Sequence, residues 1–269
     1  MGALTKVFTL LLKPFEGGHA LGGLIFISVL TGGVMLFLFR FTSNQQAMKE
    51  VKTRISAYFL ELRLYSHDIS NVIASQGKIL RSNMSYMKLS LVPAVVMIVP
   101  VILVMVQLNL RYANEQLRPG ETALVKVKIA EGYDMMRNKL DLECERGVEK
   151  ASPGVRIPSL SEVCYKVKLT EPGVHNITLG SGASRVEMPI YGSDRLIPVY
   201  NIAKKGSIGE AVFNPGSPSV PSDGPIESVE VVYEPMEFGY FGVKISWLWT
   251  FLIISFAFGL CLKFLFKVE

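Results

Sequence analysis

Only three cysteines and three histidines occur among the 269 residues. So few cysteines exclude a disulfide-dense scaffold. His19, His67 and His175 are scattered along the chain, so neither a metal cluster nor a catalytic histidine can be read from them. No glycine-rich phosphate cradle is present. Residues 180–184 (GSGAS) lack the strand-to-helix turn that a nucleophile elbow needs. The acidic run at 141–150 reads as a solvated strand end rather than a paired-carboxylate site. The expectation is therefore a non-enzymatic chain with no cofactor and no metal. Charge is scarce as well. Charged residues make up 19% and hydrophobic residues 49%, with a mean hydropathy of +0.34. Soluble domains carry roughly 25% charge, and disordered chains are poor in apolar residues. Both classes are thereby disfavoured.

What is present is three windows without any charge, at 20–39, 89–110 and 245–262. Each approaches the length a helix needs to cross ~30 Å of hydrocarbon at ~1.5 Å per residue. Between the first two windows, residues 40–88 hold eight bases (Arg40, Lys49, Lys52, Arg54, Arg63, Lys78, Arg81, Lys88) and three acids (Glu50, Glu61, Asp68). Residues 111–243 hold 15 bases and 18 acids. The overall +5 is thus not a nucleic-acid signature. The positive-inside rule puts the basic segment and the C-terminal tail, with Lys263 and Lys267, in the cytoplasm, facing anionic lipid. The N-terminus and the acidic segment are then outside.

The N-terminal residues MGALTK lack the Ser or Thr of an acylation signal, and no cleavage site follows. Leu4, Val7, Phe8, Leu11 and Leu12 share a helical face. Residues 1–18 therefore read as an interfacial helix stopped at Pro14 and the Gly17-Gly18 pair. In the basic segment, Val51, Ile55, Tyr58, Phe59, Leu62 and Tyr65 keep helical spacing, with Thr42 or Ser43 as the expected N-cap. A second run, Ile69, Val72, Ile73, Gln76, Leu80, Met84 and Met87, follows Asp68, a fitting second N-cap. The short connection predicts an antiparallel hairpin. Its basic residues Lys49, Lys52, Arg63, Lys78 and Arg81 are candidates for contact with a partner. The bland alternative is that the hairpin only connects the spans.

A first span that runs into SNQQAMKEVKTRI (residues 43–55), then a charged hairpin, a proline-containing second span and a last span form a pattern. This pattern resembles the YidC/Oxa-type insertase superfamily. It is most similar to the three-span branch, which includes archaeal homologues and the third subunit of the endoplasmic reticulum membrane complex. The resemblance covers about residues 20–111 and the last span. It implies insertion of membrane proteins without an energy source, through a groove that reduces the desolvation of polar client segments. It also implies a hairpin that receives the client or the ribosome. YidC-like members carry an arginine deep in the first core span. Here that depth, near residues 30–33, is uncharged, and Arg40 sits at the rim.

Polar side chains within spans usually face inward. Ser28, Thr31, Arg40, Gln107 and Asn109 are accordingly groove candidates, with helix–helix hydrogen bonding as the alternative, favoured for Thr250 and Ser255. Ser28 with Gly32, and Ser255 with Gly259, form small-xxx-small pairs suited to close helix packing. Pro93 and Pro100 are expected to kink the second span. Tyr240, Phe241, Trp247 and Trp249 read as an outer aromatic belt.

From 118 to 235 the period changes to two. Strands are expected at 122–129, 139–144, 163–169, 174–179, 184–191 and 228–234, separated by turns that include 180–182. This number of short strands suggests an immunoglobulin-like sandwich. Residues 214–225, rich in Pro, Gly and Ser, read as an exposed loop. Cys144 and Cys164 fall in strands on the oxidising side, where a disulfide is expected; two buried thiols are the alternative. Cys261 should stay reduced. Asn176-Ile177-Thr178 matches a glycosylation acceptor, a pattern frequent by chance and without consequence if the source is bacterial, as the resemblance implies.

The expected fold class is thus three transmembrane helices with a cytoplasmic helical hairpin, plus an all-β immunoglobulin-like sandwich. The expected segments are an interfacial helix (1–18), first span (19–41), hairpin (42–88), second span (89–110), outside β domain (111–238), third span (239–263) and cytoplasmic tail (264–269). The expected location is a bacterial inner membrane. Two functions remain in view: a YidC-like insertase or chaperone, and a non-catalytic structural subunit of an envelope complex that binds through its β domain. The expected partners are membrane lipid, client proteins or the ribosome, and an unknown envelope partner. An additional helical subunit is also expected, because three helices are few for a closed groove. No nucleic acid is expected beyond the ribosome.

Overall fold

The structure, a computed structural model, describes residues 3–17, 19–130, 133, 140–181, 184–193, 195–206, 216–222, 224–240 and 242–266. Residues 1 and 2, Gly18, Lys139, Gly182, Asn214, Phe241 and Lys267, all part of the readings above, lie outside the described residues. The chain divides into two compact units. One comprises residues 24–105 with 248–269, the other residues 1–23 with 106–247. The helices in chain order are α1 (Ala3–Leu12), a 3-10 turn (Lys13–Phe15), α2 (Ala20–Thr42), α3 (Gln45–Leu64), α4 (Ile69–Tyr112) and α5 (Trp247–Phe266). Of these, α2, α4 and α5 are long and apolar enough to cross a membrane.

In the helical unit, Asn44 caps α3, accepting a hydrogen bond from the Ala47 amide at 3.0 Å. The cap expected at Thr42 or Ser43 is displaced because Thr42 stays in α2 and donates its hydroxyl to the Leu38 carbonyl at 2.8 Å. Asp68 caps α4, accepting from the Ser70 and Asn71 amides at 2.9 and 3.4 Å. The second hairpin arm and the apolar window after it form one 44-residue helix, with Pro93 and Pro100 inside. No glycine or proline stands at the expected 88/89 boundary, so arm and window keep a single helical register. The two arms are neighbours. Lys78 Nζ lies 2.8 Å from Glu61 Oε1 and 5.7 Å from the centre of the Tyr58 ring.

The second run of apolar residues does not all face the partner arm. Val72 and Ile79 are half-buried and Ser75 is buried, whereas Ile69, Ile73, Leu80, Met84 and Met87 are exposed. At ~3.6 residues per turn the two sets fall on different faces of α4. The apolar spacing of the run thus concealed two stripes.

The other unit holds the β structure. Its strands are β1 (Thr122–Ile129), β2 (Asp141–Cys144), β3 (Val148–Lys150), β4 (Val155–Ile157), β5 (Glu162–Leu169), β6 (Gly173–Ser181), β7 (Ser184–Gly192), β8 (Ile202–Lys205), β9 (Ser219–Val220), β10 (Ile226–Val232), β11 (Glu237–Tyr240) and β12 (Val243–Ser246). The larger sheet has the order β3-β5-β1-β10-β8-β9, with β4 also on β5. The smaller sheet is β2-β6-β7, and β11 with β12 forms a separate hairpin. Alternate residues enter a single core: Val125, Val127 and Val167 from the larger sheet, Ile177, Leu179 and Met188 from the smaller. Period-two patterning puts them there. Each fully buried aliphatic side chain contributes about 1.5–3 kcal/mol, so this core holds the two sheets together.

Three expectations are corrected here. The 214–225 stretch is not wholly an exposed loop, because β9 lies within it, pairs with β8 and buries Val220. The third apolar helix begins at Trp247, not 239, because β11 and β12 occupy the preceding residues around a turn at Gly242 with φ +87°. Only glycine adopts that backbone conformation readily. Finally, Cys144 and Cys164 are free thiols. Strand parity is the reason. Cys144 has the parity of buried Leu142 and packs on the core, while Cys164 lies between buried Val163 and Tyr165 and turns to the opposite face, across from Lys126.

Burial raises both thiol pKa values; Lys150 opposes this at Cys144, whereas Glu162 adds to it at Cys164. Both should therefore hold little thiolate at neutral pH and alkylate slowly in the folded chain. We expect the denatured, unreduced chain to titrate three thiols. A count of one would restore the disulfide.

Candidate functional site

The helical unit has an open recess of about 480 Å3 between α2, α4 and α5, with α3 reaching its edge. At one end stand Thr31, Val101 and Phe251; at the other stand Phe39, Met48, Tyr86, Ser90 and Lys263. Antiparallel passage of α4 against α2 and α5 produces this ordering. Met35, Met48 and Met97 line the wall. Thioether side chains are unbranched and polarisable, so they re-pack around apolar groups of varied shape. Lys263 supplies a half-buried cation at one end, and the Ser90 hydroxyl is engaged by the Tyr86 carbonyl at 3.0 Å. The recess can therefore accept an apolar segment and meet a polar or anionic group at one end.

One wall of the recess is set by a close helix contact. A Cβ on Gly32 would stand 2.6 Å from the Ser255 carbonyl oxygen and 3.5 Å from the Gly259 amide nitrogen. Gly32, Ser255 and Gly259 thus meet backbone to backbone where α2 crosses α5, and all three line the recess.

The groove candidates are not brought together. Thr31 lines the recess. Ser28 is fully buried, but its hydroxyl donates to the Leu24 carbonyl of its own helix at 2.7 Å. Arg40 and Asn109 are exposed and do not line the recess. Gln107 belongs to a cluster of the other unit. The basic hairpin residues Lys49, Lys52, Arg63, Lys78 and Arg81 are all exposed, with Lys78 held by Glu61.

That cluster surrounds Arg111, which sequence reasoning treated only as the end of an apolar window. Arg111 is 1% exposed. One terminal nitrogen donates to the Gln107 carbonyl and Oε1 at 3.0 and 3.1 Å. The other donates to the Thr5 carbonyl at 3.3 Å and Thr9 Oγ1 at 2.9 Å. Gln107 Nε2 donates to Thr5 Oγ1 at 3.3 Å. The signal in the sequence was two i,i+4 polar pairs, Thr5/Thr9 on α1 and Gln107/Arg111 on α4. The α1 helix consequently buries Thr5, Phe8 and Leu12, leaving Leu4, Val7 and Leu10 exposed. The single apolar face expected of α1 is thereby divided between protein and surroundings.

No protein-family model matches the chain, and no curated protein matches it.

Proposed function

We propose that the chain is a YidC-like membrane-protein insertase or chaperone of a bacterial inner membrane. The carrying observation is the methionine-lined recess between α2, α4 and α5. In this reading an apolar client segment packs against Met35, Met48 and Met97, while the exposed hairpin bases attract the client or the ribosome. The eight-to-three excess of bases over acids in residues 40–88 supports a cytoplasmic hairpin. The N-terminus and the β unit then lie outside, the latter as an immunoglobulin-like sandwich open to an envelope partner.

A second reading, a structural subunit anchored by its apolar helices, draws support from the lining. Of the polar groove candidates only Thr31 reaches the recess, so the hydrated path expected of an insertase is sparse.

The test is insertion of a short-tailed client into liposomes that contain the full chain. Met97→Trp should narrow the recess and slow insertion by about tenfold, the equivalent of ~1.4 kcal/mol of lost client contact. Lys49→Glu with Lys52→Glu and Arg81→Glu should slow it too. Insertion no faster than in empty liposomes would transfer the assignment to the structural reading.

A further inference from the structure

The exposed stripe on α4 is covered by none of the described residues. Ile69, Ile73, Leu80, Met84, Met87 and Leu91 are each at least half exposed, from 50% at Met84 to 76% at Ile69. Ile69, Leu80 and Leu91 are spaced eleven residues apart, with Ile73 and Met84 four after the first two. An eleven-residue repeat, about 3.67 residues per turn, keeps to one face of a helix with a slight right-handed supercoil. Gly77 lies within the stripe, and a Cβ there would meet open space. This is the pattern of a seam that expects another helix.

Lipid does not explain it. All of the stripe but Leu91 lies in residues 69–88, which carry Lys78, Arg81 and Lys88 and so lie beyond the apolar window; Leu91 stands at the start of that window. A 44-residue helix is about 66 Å long at ~1.5 Å per residue, roughly twice the hydrocarbon thickness, so the arm projects from it. The apolar window of α4 is itself only 6% buried within the chain, against 33% for α2. Burial in α4 is concentrated at its C-terminal end, from Val106 to Tyr112.

Charge selects the occupant. α4 contains no Asp or Glu. Arg81 and Lys88, seven residues apart, run along one edge of the stripe and are exposed. A second copy of α4 would present bases to bases. We propose that the 69–91 face of α4 is the docking surface for an amphipathic helix of a partner protein whose apolar seam is flanked by acids. The inference stands whether or not the chain is an insertase.

The probe is a labelled synthetic helix with Leu at a and d and Glu at e and g, compared with the same helix carrying Lys at e and g. Binding to the full chain in nanodiscs is read by fluorescence anisotropy. The Glu helix should bind at least about tenfold tighter, and salt should weaken it. Leu80→Glu with Met84→Glu, both at exposed positions, should abolish binding. Arg81→Glu with Lys88→Glu should reverse the preference toward the Lys helix. Equal affinity for the two probes, or binding of neither, overturns the proposal. So does a dimer of the chain, seen by light scattering, that the Leu80→Glu/Met84→Glu variant splits.

Discussion

Arg111→Ala should free α1 from its unit. Thr5, Thr9 and Gln107 would lose the guanidinium that joins them; the Thr5 carbonyl keeps the Thr9 hydroxyl at 2.8 Å, and the buried Gln107 Oε1 loses its donor. A hydrogen bond to a charged group is worth about 1.5–3 kcal/mol, and a buried acceptor left bare adds to the loss. A net cost of about 2–3 kcal/mol corresponds to roughly 30- to 150-fold faster hydrogen exchange of the α1 amides. The effect should concentrate there, because a ten-residue helix is marginal without tertiary contacts. Arg111→Lys should recover little, since a single ammonium cannot span acceptors on two helices as the planar fork does. Lys6→Ala, at an exposed α1 position, is the control. Unchanged exchange in Arg111→Ala would show that Phe8 and Leu12 alone hold α1.

The second large effect is expected at Gly32. Its missing Cβ lets α2 approach the Ser255 carbonyl of α5, and a backbone oxygen cannot rotate aside. Even Gly32→Ala must separate the helices, at a cost of about 1–3 kcal/mol by analogy with overpacked cores. The adjacent Gly33 provides the contrast. A Cβ there would meet only the Leu262 side chain at an ordinary 3.8 Å. Gly33→Ala should therefore be tolerated, with some gain from lost unfolded-state entropy. Denaturation of both variants in detergent decides the matter. Equal stability would mean that α2 and α5 do not cross at Gly32. Because Gly32, Ser255 and Gly259 line the recess, the same substitution should also widen it and weaken any client contact there.

Some features were legible because they depend on local periodicity. Charge-free windows mark the apolar helices wherever they lie. The five strands of seven or more residues, β1, β5, β6, β7 and β10, lie within two residues of their expected ends, since alternation over six or more residues is distinctive, whereas β2, expected over 139–144, spans only Asp141–Cys144. The short strands β3, β4, β8, β9, β11 and β12 span two to four residues each and are too short to show a period. Residues 239–246 misled for a related reason. Their apolar composition suits both a hairpin and the start of an apolar helix, and only pairing of β11 with β12 separates the two.

The amino-acid order alone determined three apolar helices, a helical hairpin with a basic excess, and a β region with inward-facing alternate residues. Each follows from interactions within a few residues of chain. It could not determine which polar residues meet. Thr5 and Arg111 are 106 positions apart, and Ser28, Thr31 and Gln107 shared a composition without sharing a site. Nor could it show that of two cysteines in different sheets one turns to the core and the other away from it, or tell which of two apolar stripes on α4 finds a neighbour. Those outcomes depend on how whole elements dock, where burial and backbone approach over many residues outweigh any local preference.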